Sequence, residues 1–331
     1  MVIPARPSAG FRRLAVWTAI VTYLLIVWGG IVRVTGSGNG CGTTDQWPLC
    51  HGSLLPAWQI NTLIEFTHRW IASICTILVV VLTVSAWVWH RHRRKILVGV
   101  TVAAVLFVVQ IALGAITVEA NLPGGVVMLH LANALLLFAV LIYVAVESTT
   151  EGTARHSQGL WAAANASLKI PVLIAVVATY VVALSGAFLV ATNSTGGCSS
   201  WPLCGSGFSL PTTQSATINV AHRVIAGVVV VALGGLMAMI RRRRRGDRPV
   251  SIGVMAVNLL LVLQVAAGAL DAIFNLPAGL SALHIALASM LWGAVVAVAL
   301  LSLQVVGEQP VAVSSAQAGD AVVPRTRVAQ S

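Results

Sequence analysis

Glu65-Phe66-Thr67-His68-Arg69-Trp70 places an acid, an imidazole and a guanidinium near the start of a long apolar run. Glu65 and His68, three residues apart, share one face of a helix. A charge deep in a bilayer costs about 3 kcal/mol on insertion scales, so side chains of this kind face a protein interior and have a task there. Three more histidines, His130, His222 and His284, stand in comparable apolar runs. Each lies a turn or two from the same end of its run, which at 1.5 Å per residue puts all four about 10 Å below one membrane surface.

Two imidazoles on two helices of one bundle can hold a heme between axial ligands. Two other chemistries compete. Glu65-x-x-His68 has the spacing of a di-iron carboxylate site, but such a site needs more acids; the position matching Glu65 later in the chain is Asn219, while Glu119 and Asp271 fall at helix ends. A proton relay without metal is the third reading. Arg69 and Arg223 each follow one of the histidines. They are placed either to pair with heme propionates or to snorkel to the headgroups.

The elements that carry these residues follow from composition. Of 331 residues, 58% are hydrophobic and 9% charged, against roughly 25% charged in soluble domains. Apolar runs that can cross about 30 Å of hydrocarbon lie near 14–33, 60–89, 96–118, 125–147, 170–192, 217–240, 250–271 and 279–304. The first is too long for a signal-peptide core and lacks a cleavage site, so it counts as an anchor. The net charge of +11 resides in Arg12 and Arg13, Arg91 to Lys95, Arg155 and Lys169, Arg241 to Arg245, and the C-terminal tail. These are alternate loops and tails, a positive-inside pattern rather than a nucleic-acid surface.

The chain repeats itself. Cys50 and Cys204, His68 and His222, Arg69 and Arg223, Gln110 and Gln264, Gly114 and Gly268, Pro123 and Pro277, and His130 and His284 are each 154 residues apart. The expected fold is therefore all-α integral membrane: eight transmembrane helices as two tandem, pseudo-two-fold-related four-helix bundles, with N and C termini cytoplasmic. The units are a tail 1–13, a bundle 14–148, a linker 149–169, a second bundle 170–305 and a disordered tail 306–331. Gln110 and Gln264, with Gly114 and Gly268, read as interhelical hydrogen-bond and close-contact positions. Four of the five cysteines fall in two outer-side loops as Cys41 with Cys50 and Cys198 with Cys204. Structural disulfides, redox-active pairs and, with His51, a metal site are the alternatives. Cys75 reads as a small buried residue.

In combination, GGIVRVTGSG leading to a cysteine, WPLC, EFTHRW, the stretch from Leu122 to His130 and their partial second copies resemble the heme A synthase family over about residues 14 to 304. The resemblance implies an eight-helix plasma-membrane enzyme that oxidises a methyl group of heme O to the formyl group of heme A by successive hydroxylations, for terminal oxidases. It implies heme b on His222 and His284 in the second bundle. It also implies substrate heme O on His68 and His130, with Glu65 as the catalytic acid or base. Heme O synthase and an electron donor are the implied partners; the oligomeric state stays open, a homo-oligomer included. The residues independently favour this division, since the first half has an acid beside its histidine where the second has Asn219. A diheme electron-transfer protein is the runner-up, but it would set its hemes at different depths; a heme transporter or chaperone is the third function.

Overall fold

The computed structural model describes residues 7–42, 50–53, 58–150, 160–198, 200–204 and 211–303. Among them are eight helices long and apolar enough to cross a membrane, and no strand. They are α1 (Ala9–Val34), α2 (Ile60–Trp89), α3 (Arg94–Glu119), α4 (Gly124–Thr150), α5 (Leu160–Ala191), α6 (Gln214–Arg243), α7 (Arg248–Ile273) and α8 (Ala278–Leu303). In lipid every backbone polar group must find an internal partner, which helices provide within themselves. The protein is a multi-pass membrane protein.

Two helices, α1 and α5, start five or more residues earlier than hydropathy places them. Hydropathy marks the hydrocarbon crossing, whereas hydrogen bonding continues into the interface. α1 begins at Ala9 because the Ser8 side chain accepts from the Phe11 N–H at 3.2 Å, so residues 9–13 are helix rather than tail. α5 begins at Leu160 and runs through Pro171. The remainder of the expected linker, 151–159, and the C-terminal tail from 304 lie outside the described residues.

Each half closes on itself. α1 packs on α2, α2 on α3, α3 on α4 and α4 back on α1; α5 to α8 repeat this ring, and the rings meet along α1, α4, α5 and α8. The repeat reaches individual dihedral angles. The tight α3–α4 and α7–α8 connections hold Asn121 and Leu122, and Asn275 and Leu276, at φ between 60° and 63°. A left-handed leucine is unfavourable by about 1–2 kcal/mol. Both are fixed by the same bond, Leu122 N–H to Thr117 O and Leu276 N–H to Asp271 O, each 2.8 Å.

The seam between halves carries a reciprocal pair of ties. Tyr23 on α1 donates to Ala286 O on α8 at 3.3 Å, and Tyr180 on α5 donates to Ala132 O on α4 at 3.0 Å. Each accepting carbonyl sits two residues beyond a histidine of the opposite half, His284 or His130. Tyr23 packs on Phe138 and Tyr180 on Trp292, with centroids 6.0 and 5.4 Å apart. The buried Trp292 indole also donates to Leu135 O at 2.9 Å. Tyr180→Phe and Tyr23→Phe should each lower stability by about 1 kcal/mol, the net worth of one such bond. Thermal unfolding in detergent reads this, and an unchanged midpoint in both variants would remove the ties' structural role.

Candidate functional site

All four helical histidines lie in the first turns of α2, α4, α6 and α8, at the end of the molecule that carries the cysteine loops. His68 and His130 are close enough to feel each other's charge, and so are His222 and His284. Every one of them lies against a glycine of the preceding helix. A Cβ at Gly29, Gly114 or Gly186 would stand 3.2, 3.3 or 3.2 Å from the Cε1 of His68, His130 or His222, and at Gly268 only 2.6 Å from that of His284. The bundle thus removes side chains to seat imidazoles between helices.

In the first half, Glu65 is 3% exposed and held from two sides. Its Oε2 accepts the Cys41 backbone N–H at 2.7 Å; its Oε1 receives Arg69 through Nη2 at 2.5 Å and Nε at 3.2 Å. The contact to the loop follows from Cys41–Cys50, a disulfide with S–S 2.08 Å, and from Gly40, where a Cβ would strike Asn61 O at 2.5 Å. Glycine lets the loop backbone lie directly on the first turn of α2. His51 Nε2 bonds Gly40 O at 3.0 Å, so this histidine serves the loop backbone. Across the ring, Gln110 Nε2 meets His130 Nε2 and His130 O, both at 3.1 Å, and Asn133 Nδ2 donates to Gln110 Oε1 at 2.6 Å.

The second half solves the same contacts with opposite polarity. Asn219, 5% exposed, donates to Ser194 O and Thr195 O at 3.1 and 3.0 Å, where Glu65 accepts. Arg223, with no acid at position 219, donates to the carbonyls of Ser200, Pro202 and Cys198 in the loop closed by Cys198–Cys204. His222 Nδ1 lies 2.7 Å from Ser185 Oγ, whose proton goes to Val182 O at 2.8 Å. The hydroxyl therefore accepts the Nδ1 proton, which leaves Nε2 with its lone pair free to ligate a metal. Among the described residues this bond has no counterpart: Trp28 takes the place of Ser185 in the first half, and the Nδ1 atoms of His68, His130 and His284 are buried without a partner. Gln264 Nε2 meets His284 Nε2 at 3.2 Å.

The structure amends one expectation: the second half does have an acid near its histidines. Asp271, bonded by Ser281 Oγ at 2.8 Å, lies within electrostatic range of His284. The tight α7–α8 turn folds the end of α7 back beside the first turns of α8, which the separation of the two residues in sequence conceals. Asp271 nevertheless sits at a helix end, whereas Glu65 is buried one turn from His68.

These residues fit a heme better than a bare metal ion. Among the described residues no three His, Cys, Asp or Glu side chains converge, as a closed zinc or di-iron site would require. Two facing imidazoles suffice for a porphyrin, which brings four nitrogens of its own. Arg69 and Arg223, expected at heme propionates or at the headgroups, donate to Glu65 and to loop carbonyls respectively. Ser185, Asn133 and the histidine-facing role of Gly29 and Gly186 had no signal in periodicity; Gln110 and Gln264 did, as interhelical donors. Cys75 is buried and unpaired, 3.3 Å from Thr22 Oγ.

The profile of the COX15-CtaA family, described as cytochrome oxidase assembly protein, matches residues 12–296. A heme A synthase of Symbiobacterium thermophilum is 30% identical over 308 residues, covering 92% of this chain and 99% of its own. One from Exiguobacterium sibiricum is 30% identical over 264 residues, 78% and 84% of the two chains. One from Bacillus licheniformis is 26% identical over 287 residues, 86% and 94%.

Proposed function

From the premise that the chain belongs to the COX15-CtaA family of cytochrome oxidase assembly proteins, we propose that it is a heme A synthase, oxidising a methyl group of heme O to the formyl group of heme A. The observation that carries the assignment of sites is the duplicated histidine pair with a buried acid at only one of two equivalent helix positions, Glu65 against Asn219. His222 and His284 hold heme b, and His68 and His130 hold heme O. Ser185 supports this division: a hydrogen-bonded Nδ1 fixes the tautomer and orientation of a permanent ligand. His68, the matching ligand of the first half, lacks such a bond, and so does His284, so this distinction rests on the His68–His222 pair alone.

Heme b, when bound, supplies one-electron redox chemistry. The chain's residues do the rest. The Cys41 N–H and Arg69 fix the two oxygens of Glu65, and the carboxylate is placed to take up and return protons at the reacting methyl group. Two successive hydroxylations, each consuming one dioxygen with two electrons from the electron donor and two protons and releasing one water, give a geminal diol that loses water to the aldehyde. Gln110 and Gln264 orient His130 and His284 through their Nε2 atoms, the atoms that would ligate a heme iron. The protein sits in the plasma membrane with both termini cytoplasmic and the cysteine loops outside, the two bundles being related by an axis along the membrane normal. It takes heme O from a heme O synthase and draws on a separate redox partner.

The test is to supply heme O to cells expressing the protein, extract the hemes from the purified protein and separate them by chromatography. Heme A is the expected product. Unchanged heme B and heme O would instead identify a diheme electron carrier or a heme carrier.

A further inference from the structure

The two halves differ at the end opposite the histidines. Between α6 and α7 a groove of about 530 Å³ is lined by Gly234, Ala238 and Val254, with Arg241, Arg242 and Arg245 at its mouth. On α6, Gly234, Ala238 and Arg241 with Arg242 follow one another at helical spacing and form a single stripe, and Arg245, in the turn just past the end of α6, lines the same groove. The positions 154 residues earlier are Val80, Val84, Trp87 with Val88, and Arg91. In that half the Trp87 indole reaches across to Thr101 Oγ1 on α3 at 3.3 Å. One copy of the repeat carries larger apolar side chains at these positions, with Trp87 tied across to α3; the other carries small residues and rims the groove with guanidinium groups.

The five consecutive arginines at the end of α6 are not equivalent. Arg244 is buried, paired with Asp247 at 3.4 Å and bonded to Leu301 O at 3.0 Å, and Arg243 bonds Ser167. Arg241, Arg242 and Arg245 are exposed and pair with no described residue. A crevice on a lipid-facing helix pair is filled by hydrocarbon, and three convergent guanidiniums at the membrane surface match a phosphate.

We propose that the α6–α7 groove is a binding site for an anionic phospholipid, with an acyl chain along Gly234 and Ala238 and the phosphate between Arg241, Arg242 and Arg245. It is independent of the heme chemistry at the other end of the bundle.

The test is native mass spectrometry of the intact protein after exposure to mixed phosphatidylglycerol and phosphatidylcholine vesicles. Wild type should retain phosphatidylglycerol over phosphatidylcholine. Each Arg→Gln change at 241, 242 or 245 should weaken retention about fivefold, as expected for one basic residue at an anionic surface. Gly234→Val with Ala238→Val, which installs the residues of the first half, should abolish it with all charges intact. Heme content should stay at the wild-type level in every variant, which excludes misfolding. Equal retention of the two lipids would overturn the proposal, as would loss in the arginine variants alone, since that is diffuse surface charge. Displacement of phosphatidylglycerol by millimolar inorganic phosphate would overturn it too, because the site would then be an anion site without a chain groove.

Discussion

Glu65→Gln is expected to stop formyl-heme formation while the heme of the second half stays bound. Glutamine keeps the size of the side chain and can still accept the Cys41 N–H, so the loop contact survives. What disappears is a group able to exchange a proton, and the charge opposite Arg69. General acid or base catalysis contributes about 10²–10⁴-fold, so conversion should fall by at least about a hundredfold. Removing one partner of a buried ion pair also costs about 3–5 kcal/mol; Arg69 is left facing an amide, and the first half should unfold at lower temperature. The second half already lives with an amide at this position because Arg223 has loop carbonyls instead. Two readouts separate the effects: chromatography of extracted hemes follows the chemistry, and the absorption spectrum of the heme proposed for His222 and His284 reports the fold. Full conversion by Glu65→Gln would remove the acid from the mechanism.

The next largest effect is expected at Gly268. A single methyl group there would lie 2.6 Å from His284 Cε1 and 3.1 Å from its Nδ1, closer than packed atoms approach. Either the imidazole turns away or α7 and α8 separate, and overpacking of this kind costs about 1–3 kcal/mol. Gly268→Ala should therefore lose most of the heme of the second half, while Gly114→Ala, with 3.3 Å to His130 Cε1, should keep most of the heme of the first. The heme-to-protein ratio of each purified variant measures this. Equal retention in both would mean that the glycines serve helix packing in general and not the seating of the histidines.

Much of this molecule is written in its sequence because a membrane leaves the chain few choices. Apolar runs of spanning length must be helices, and a duplication marks what each half shares and where it departs. Hence His68, His130, His222 and His284 stand out, and so does the Glu65 to Asn219 exchange. What stayed hidden was lateral. Ser185 looks like any serine in a transmembrane helix until α6 is placed beside it, and Gly29 reads as part of a glycine-rich exit until His68 lies on it. Asp271 belongs to a helix end until the left-handed Asn275-Leu276 turn folds α8 back against α7. Periodicity reports which face of a helix a residue occupies; it does not report the neighbour across the gap, and in this site the neighbours do the orienting.

The crossed tyrosines bear on ancestry. Tyr23 reaches Ala286 and Tyr180 reaches Ala132; the tyrosines are 157 residues apart, like Gly29 and Gly186, and the alanines 154 apart, like the histidines, so the two bonds exchange when the halves are exchanged. A contact in which residue i of one unit meets residue j of the other, and j meets i, is what a symmetric dimer presents. A four-helix forebear of half this length would have satisfied its tyrosine only on another copy of itself. Joined in one chain, the two copies can differ at one matched position, glutamate at 65 and asparagine at 219.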